Sequence, residues 1–412
     1  MAVHIVNVTD ARLAARRRLP RLFFDYIDGG SSSEATMRAN EADFARHELR
    51  QRVLVDVRER DPSAAFLGQT HALPLALGPV GFTGLFWRSG ELAAAAAAER
   101  AGVAFSLSNF AIATIGEVRA RSAGPLYVQL YALHDRGLME ALVDDAERHR
   151  ADALILTVDT AVTAVRERDE RNGFRSIGRI TPRLALQFAR RPRWCASVLS
   201  GGLPQVGVAR GRPELGRDVL AQSGNLARQI DQGMTWADLA WLRVRWRGRL
   251  VVKGILSAED ARRAAAAGAD AIVVSNHGGR QLDGAPSSVA VLPEIAAAVG
   301  HEIEVLLDGG IRRGTQIVKA LALGAHGVLL GRAYAYGLAA AGEAGVLRVI
   351  EALGAELDVT MALMGVTSVT AIRQGGKDLL REAGVRWHWE TAGQGGAPWA
   401  GADPALAAEG MR

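Results

Sequence analysis

The stretch Ala271-Ile-Val-Val-Ser-Asn-His-Gly-Gly-Arg-Gln-Leu-Asp283 decides how this chain is read. Its first four residues have the length and β-branched content of a strand covered on both faces. A titratable base, a fixed cation and two glycines follow at once, and glycine lets a backbone turn sharply and approach a ligand closely. An active-site loop is built this way. An ordinary strand-to-helix connection with a satisfied histidine is the alternative, and the rest of the chain must decide between them.

Working outward, similar apolar runs recur at Leu73–Gly78, Val103–Leu107, Leu126–Leu130, Leu154–Val158, Leu250–Val252, Val305–Leu307 and Val328–Leu330. Amphipathic segments such as Glu91–Ala101, Asp135–Arg150, Ala258–Ala267 and Thr315–Leu323 separate them. Regular alternation of strand and helix predicts an α/β fold, a parallel (β/α)8 TIM barrel over residues 71–350. A doubly wound open sheet is less consistent, because no GxGxxG follows the first strand and polar residues gather after every strand rather than at one switch point. Residues 1–70 read as an N-terminal helical segment packing on the barrel, with Thr9-Asp10 as the N-cap before Ala11–Arg18. Residues 351–385 read as C-terminal helices, and 386–412, rich in Gly, Ala and Pro, as a flexible tail. The irregular stretch of about residues 176–232, after the fourth strand, reads as a mobile insertion that covers the barrel mouth or meets a partner.

Composition narrows the function. The chain of 412 residues is 49% hydrophobic and 23% charged, which is globular. Cys195 is the only cysteine, so a disulfide framework and a CxxC metal site are excluded. The first residues lack the pattern of a signal peptide and no long uncharged apolar run occurs, so a cytoplasmic protein is expected. Net charge is +5 and lysine appears only as Lys253, Lys319 and Lys377. The basic residues are interspersed with acidic ones and no nucleic-acid-binding signature is present, so nucleic acid is not expected as a partner. The densest basic segment, Arg183 to Arg193, is interleaved with Leu184, Leu186, Phe188 and Trp194. It reads as a peripheral membrane or docking contact over about 176–200, with a solvated helix face as the plain alternative.

In a parallel barrel the reactive groups belong at the C-terminal strand ends. These ends carry Pro79-Val80-Gly81, Ser108, Gln129 with Tyr131, Thr157 with Asp159, Lys253, Ser275 with His277, Asp308-Gly309-Gly310-Ile311-Arg312, and Gly331-Arg332. Lys253, directly after an apolar run, must face an anion to stay charged. The last two units combine backbone N–H groups with guanidinium donors where barrels commonly hold a phosphate, which implies a phosphorylated cofactor.

At these residues the chain resembles the FMN-dependent 2-hydroxy acid oxidases and dehydrogenases, the group of glycolate oxidase, L-lactate dehydrogenase and mandelate dehydrogenase. The resemblance covers about residues 10–380 and rests on Phe24-Asp-Tyr-Ile-Asp-Gly-Gly30, Val128-Gln-Leu-Tyr131, Thr157-Val-Asp-Thr160, Arg166-Glu-Arg-Asp169, Val252-Lys-Gly-Ile255, Ser275 to Asp283 and Asp308-Gly-Gly-Ile-Arg312. It implies that His277 is the active-site base and that Asp159 orients it. It implies that Arg280 and Arg166 clamp a substrate carboxylate with help from Tyr26, and that Tyr131 lies near the substrate hydroxyl. Lys253 would stabilise negative charge on the reduced flavin. Ser108, Gln129, Thr157 and Ser275 would bond the flavin ring beside Pro79, Val80 and Gly81. Arg312 and Arg332, with Asp308 to Ile311 and Gly331, would hold the phosphate and ribityl chain. No metal is implied.

The implied activity is oxidation of a lactate- or mandelate-like (S)-2-hydroxy acid to the 2-oxo acid, with FMN as cofactor and a quinone or other acceptor. Oxidases of the family commonly carry alanine at the position of Gly81, and dehydrogenases often glycine, so Gly81 favours a dehydrogenase over an oxidase that gives hydrogen peroxide. Ala161 and Ala164 depart from the proline and glycine frequent after Thr160 in the family, which loosens the expected course of the loop carrying Arg166. A flavin barrel acting on a peptide or diphosphate is a further alternative. A homo-oligomer, often a tetramer, is what the family suggests, with a location in the cytoplasm or on the inner face of the membrane.

Overall fold

The computed structural model describes residues 4–174, 181–200, 202 and 204–383. Eight strands, β1 (Leu75–Leu77), β2 (Ala104–Leu107), β3 (Leu126–Tyr131), β4 (Ala153–Thr157), β5 (Arg249–Ile255), β6 (Ala271–Val274), β7 (Glu304–Asp308) and β8 (Gly327–Leu330), close into a barrel. Neighbours follow chain order, each pair is parallel, and β8 pairs with β1. All four residues of β6 are fully buried, because helices cover the outside and side chains from the other strands fill the inside. The four connecting helices read from the sequence appear within one or two residues of their expected bounds, as Gly90–Arg100, Arg136–Arg148, Ala258–Ala266 and Gly314–Ala322.

The N-terminal part differs from its reading. Helices α1 (Val8–Arg18), α2 (Arg21–Asp28) and α3 (Ala35–Ala42) extend only through the first half of residues 1–70. The second half holds short strands: His47–Leu49 pairs with Leu380–Glu382, and Ala64–Phe66 forms a hairpin with Gln69–His71. That hairpin turns at Leu67-Gly68, both with positive φ, and covers the N-terminal end of the barrel: Leu67 N donates to Glu304 at 2.6 Å and the Tyr127 hydroxyl meets His71 at 3.2 Å. Leucine is not a residue that announces such a turn, so the sequence hid it. The cap of α1 is also one turn earlier than expected. Asn7, not Thr9-Asp10, accepts from Asp10 N at 3.0 Å, while the Asp10 carboxylate accepts in return from Asn7 N at 3.3 Å.

The insertion is mainly helical among the described residues. After α4 (Glu167–Asn172) come α5 (Pro182–Ala189), α6 (Pro192–Leu199) and α7 (Val219–Gln229). Leu184 and Trp194 are buried: Trp194 stacks with Phe188 and Phe23, and its indole N–H donates to Leu85 O at 2.8 Å. Most of the apolar residues interleaved with the arginines are therefore packing residues. Leu186 alone of the four is half exposed, and the outer surface is left to Arg190 and Arg193. The long helix α8 (Arg332–Leu363), bent at Ala341-Gly342, follows β8 and packs against α1. No described helix is long and apolar enough to cross a membrane. The expected tail, 386–412, lies outside the described residues.

Candidate active site

A cavity of about 860 Å³ opens at the C-terminal ends of the strands. Its wall brings together residues from opposite ends of the sequence: Tyr26 from α2, Pro79 to Gly81 after β1, Ser108 after β2, Tyr131 at the end of β3, and Arg166. Lys253, His277 and Arg280 complete one side, and Asp308 to Arg312 with Gly331-Arg332 the other.

His277 Nδ1 lies 2.8 Å from Asp159 Oδ1, and both side chains are largely buried. Asp159 can approach because β5 has a bulge at Lys253–Ile255, where Gly254 holds φ +115; a Cβ there would stand 2.7 Å from the Asp159 Cβ. Burial pushes the His277 imidazole below its ordinary pKa, more than the Asp159 carboxylate raises it, and Lys253 adds to the lowering. Burial alone would raise Asp159, but His277 and Lys253 hold it below the usual carboxylate range. The pair is thus a carboxylate and a neutral imidazole, with Nδ1–H donating to Asp159 and Nε2 left with its lone pair. His277 also sits at φ +57, a conformation that costs a non-glycine residue roughly 1–2 kcal/mol. A hydrogen bond of 3.0 Å from His277 N to Ser275 Oγ helps hold it there.

Lys253 meets the anion that its burial demanded. Its ammonium lies 3.0 Å from Asp308 Oδ2 and donates to Ser275 Oγ at 2.9 Å. Burial would discharge it, but Asp308 and Asp159 overcome that and keep its pKa above the ordinary value. Tyr131 stays protonated, its phenol raised by burial and by Asp159.

Four arginines, Arg166, Arg280, Arg312 and Arg332, reach the cavity, and Arg280 and Arg332 are held chiefly by backbone carbonyls. Arg280 Nη1 donates to Tyr26 O at 2.7 Å and Gly29 O at 2.8 Å, and its guanidinium lies 4.9 Å from the Tyr26 ring centre. Its Nε and Nη2 have no hydrogen-bond partner among the described residues. Arg332 donates to Ile27 O, Gly278 O and Gly29 O, tying α2 to the β6 loop, and burial beside Arg280 pushes its pKa down to about 10. Arg312 reaches Glu41 at 2.8 Å. Arg166 Nη1 lies 3.9 Å from Asp169.

Four of the expected residues, Gln129, Thr157, Asp159 and Ser275, are not on the cavity wall. Asp159 and Ser275 act on it through His277 and Lys253. Gln129 Oε1 accepts from Ser108 Oγ and Asn109 N, both at 3.2 Å, while Gln129 Nε2 and Thr157 Oγ1 are buried without a partner. Buried polar atoms are seldom left unsatisfied, so these atoms fit a polar ring system over the barrel end. The guanidinium of Arg332, which makes no carboxylate ion pair among the described residues, fits a phosphate at the mouth it shares with Gly309-Gly310.

Sequence reasoning missed other parts of the site. Phe174 stacks on Tyr26 with ring centres 4.6 Å apart, and Ala221, Gly224 and Ala227 of α7 close the outer wall. No motif marks them; small residues at every third helical position were the available signal. Within the opening stretch, Gln281 donates to Asp159 O and Val162 O, and Asn276 exchanges amide hydrogen bonds of 2.8 Å with Asn40. Asp283 accepts from Ser33 and Thr36. Gly279 is required by packing: a Cβ there would stand 2.4 Å from Met37 N.

A closed parallel barrel that gathers a carboxylate-held histidine, a buried lysine and arginines in a cavity at the C-terminal strand ends is built as an enzyme. The chain belongs to the FMN-dependent dehydrogenase family, whose model matches residues 15–378. It is 49% identical over 372 residues to an L-lactate dehydrogenase of Caulobacter vibrioides, covering 90% of this chain and 97% of that one. An L-lactate dehydrogenase of Azorhizobium caulinodans is 45% identical over 373 residues, covering 89% and 97%. Among solved structures, the monotopic membrane protein (S)-mandelate dehydrogenase superposes with a TM-score of 0.88 at 40% identity, over 92% of this chain and 100% of the other. A mandelate oxidase bound to (S)-4-hydroxymandelic acid gives 0.79 at 37% identity, over 92% and 98%.

Proposed function

We propose that this FMN-dependent dehydrogenase oxidises an (S)-2-hydroxy acid, lactate- or mandelate-like, to the 2-oxo acid and passes the electrons to a quinone or a similar acceptor. The observation that carries this reading is His277, hydrogen-bonded at 2.8 Å to the buried Asp159, in one cavity with Arg280 and Arg166. Arg280 offers Nε and Nη2 to the substrate carboxylate, and Arg166 and Tyr26 complete the clamp. Tyr131 donates to the substrate hydroxyl. His277 Nε2 accepts the proton the substrate gives up, and Asp159 stabilises the imidazolium that forms. When bound, the FMN would supply the acceptor for the two electrons and the second proton, equivalent to a hydride. Ser108, Gln129, Thr157 and Ser275 would hold its ring, Lys253 would face the negative charge of its reduced form, and Arg312 and Arg332 its phosphate.

Gly81 supports a dehydrogenase. A Cβ there would lie 3.0 Å from Phe110 Cβ and 3.5 Å from the Tyr26 hydroxyl, so alanine would crowd the groups that shape the substrate side of the cavity. The half-exposed Leu186 and the outward Arg190 and Arg193 support a peripheral contact that is chiefly electrostatic, on the inner face of a membrane where a quinone is at hand. Anaerobic addition of lactate, glycolate, mandelate or a longer homologue to the yellow holoenzyme should bleach it; failure with all of them overturns the proposal. Re-oxidation faster with a quinone analogue than with air is expected, and the reverse order identifies an oxidase. Light scattering of the holoenzyme tests the homo-oligomer expected from the family.

A further inference from the structure

A second concave site, outside the barrel mouth, has no part in the reaction just described. It is a pocket of about 540 Å³ formed by α1, α2, α4 and the start of α6. Six arginines line it: Arg12, Arg16, Arg21, Arg168, Arg171 and Arg191. Leu19 and Phe24 supply an apolar part of its wall.

The charges do not balance. Asp28 takes Arg12 at 2.5 and 2.8 Å and Arg168 at 2.9 Å, and Arg168 also reaches Glu34 at 2.7 Å. Asp25 pairs with Arg21 at 3.2 Å and accepts from Asn172, and Glu167 pairs with Arg171. Burial opposes ionisation of Asp28, but hydrogen bonds from Arg12, Tyr336 and Arg168 hold its pKa at about 2, so it is a full carboxylate. Six guanidiniums against Asp25, Asp28, Glu34 and Glu167 leave a surplus of two positive charges. That surplus resides on Arg16 and Arg191, which have no carboxylate partner among the described residues. Arg191 donates through Nε to Leu19 O at 3.1 Å and through Nη1 to Arg190 O at 3.2 Å, which leaves Nη2, and Arg16 is exposed at the rim.

We propose that this pocket binds a phosphate group. A phosphate monoester carries about 1.5 to 2 negative charges and three acceptor oxygens, which match the surplus charge and the donors. Planar guanidiniums recognise such oxygens in pairs, and a pocket ringed by like charges gains most from an anion that neutralises it. The pocket shares α2 with the cavity: Asp25 and Asp28 face the pocket, while Tyr26 and Ile27 face the cavity. The phosphate monoester can come from a soluble ester or from a phosphatidic acid headgroup, since α6 and its arginines adjoin the pocket.

The test uses FMN-saturated holoenzyme, so that the cofactor phosphate site is filled, at fixed ionic strength. Glycerol 3-phosphate is titrated calorimetrically, and phosphatidylcholine vesicles with and without phosphatidic acid are co-sedimented, for the native protein and for Arg16→Glu. At least tenfold weaker binding of either probe by Arg16→Glu, with turnover and melting temperature unchanged, is the expected result, and the probe affected names the source. Arg191→Gln provides the same comparison if Arg16→Glu does not fold. Absence of binding by both probes, or binding that both variants leave intact, overturns the site.

Discussion

The barrel wall of the active-site cavity and its insertion wall are built on opposite terms. On the barrel side each charged group is fixed by another: His277 by Asp159, Lys253 by Asp308 and Ser275, Arg332 by three carbonyls. On the insertion side α7 presents Ala221, Gly224 and Ala227, which contribute space rather than charge. The difference teaches that the titratable groups sit on rigid strand ends, whereas the outer wall is given to a helix that can vary without disturbing them.

Changes on the barrel side should therefore act on every substrate. The largest expected effect is from Lys253→Met, which leaves Asp308 buried without its cation and should cost about 3 kcal/mol of stability. Denaturant unfolding of the FMN-free protein measures this, and Asp308→Asn in the same chain should restore part of the loss. His277→Gln should retain FMN but slow anaerobic flavin reduction by about 10²-fold or more, since the general base is gone. Equal reduction rates for the native enzyme and this variant would remove the histidine from the mechanism.

The same wall predicts a pH profile. His277 works as a base only when neutral, so kcat/KM of the free enzyme rises with pH through its pKa. Burial sets that pKa below the ordinary value of about 6.5, so activity should already be near its plateau there. Asp159→Asn removes the influence that raises it, and the acid limb should move to still lower pH while kcat falls. A native limb centred above the ordinary imidazole value would contradict the assignment.

The insertion side should discriminate instead. Gly224 has room for a side chain, its nearest prospective neighbour being Arg228 at 3.9 Å. Gly224→Leu should reduce kcat/KM for a bulky acid such as mandelate by about tenfold, equivalent to roughly 1–2 kcal/mol of crowding, and leave lactate within about twofold. The same change should stabilise α7 by about 0.5–1 kcal/mol, read as a rise in melting temperature. Equal losses for the small and the bulky acid would erase the distinction between the two walls.

Much of the barrel side was legible because strand ends in a parallel barrel converge, so residues far apart in sequence are predictable neighbours. Lys253 shows the limit: its need for an anion was readable, but Asp308 as that anion was not, because the choice depends on how β5 and β7 face each other across the barrel. The hairpin Ala64–His71 escaped because its turn uses leucine, and Trp194 was read as part of an outward segment although it packs inward on Phe23. Arg332 was assigned to phosphate and the ribityl chain, and what the fold shows is its donors holding the backbone of α2 and of the β6 loop.

By itself the sequence determined the alternation of strands and helices and the set of polar and charged residues that close the strand ends, because periodicity and side-chain chemistry are local properties. Tertiary structure alone decided that burial lowers the pKa of His277 beside Asp159, that Lys253 pairs with Asp308, and that α7 forms the outer wall. It also gathered six arginines into a second pocket. Each of these depends on burial and on distances across the fold, and neither is encoded in the spacing of residues along a chain.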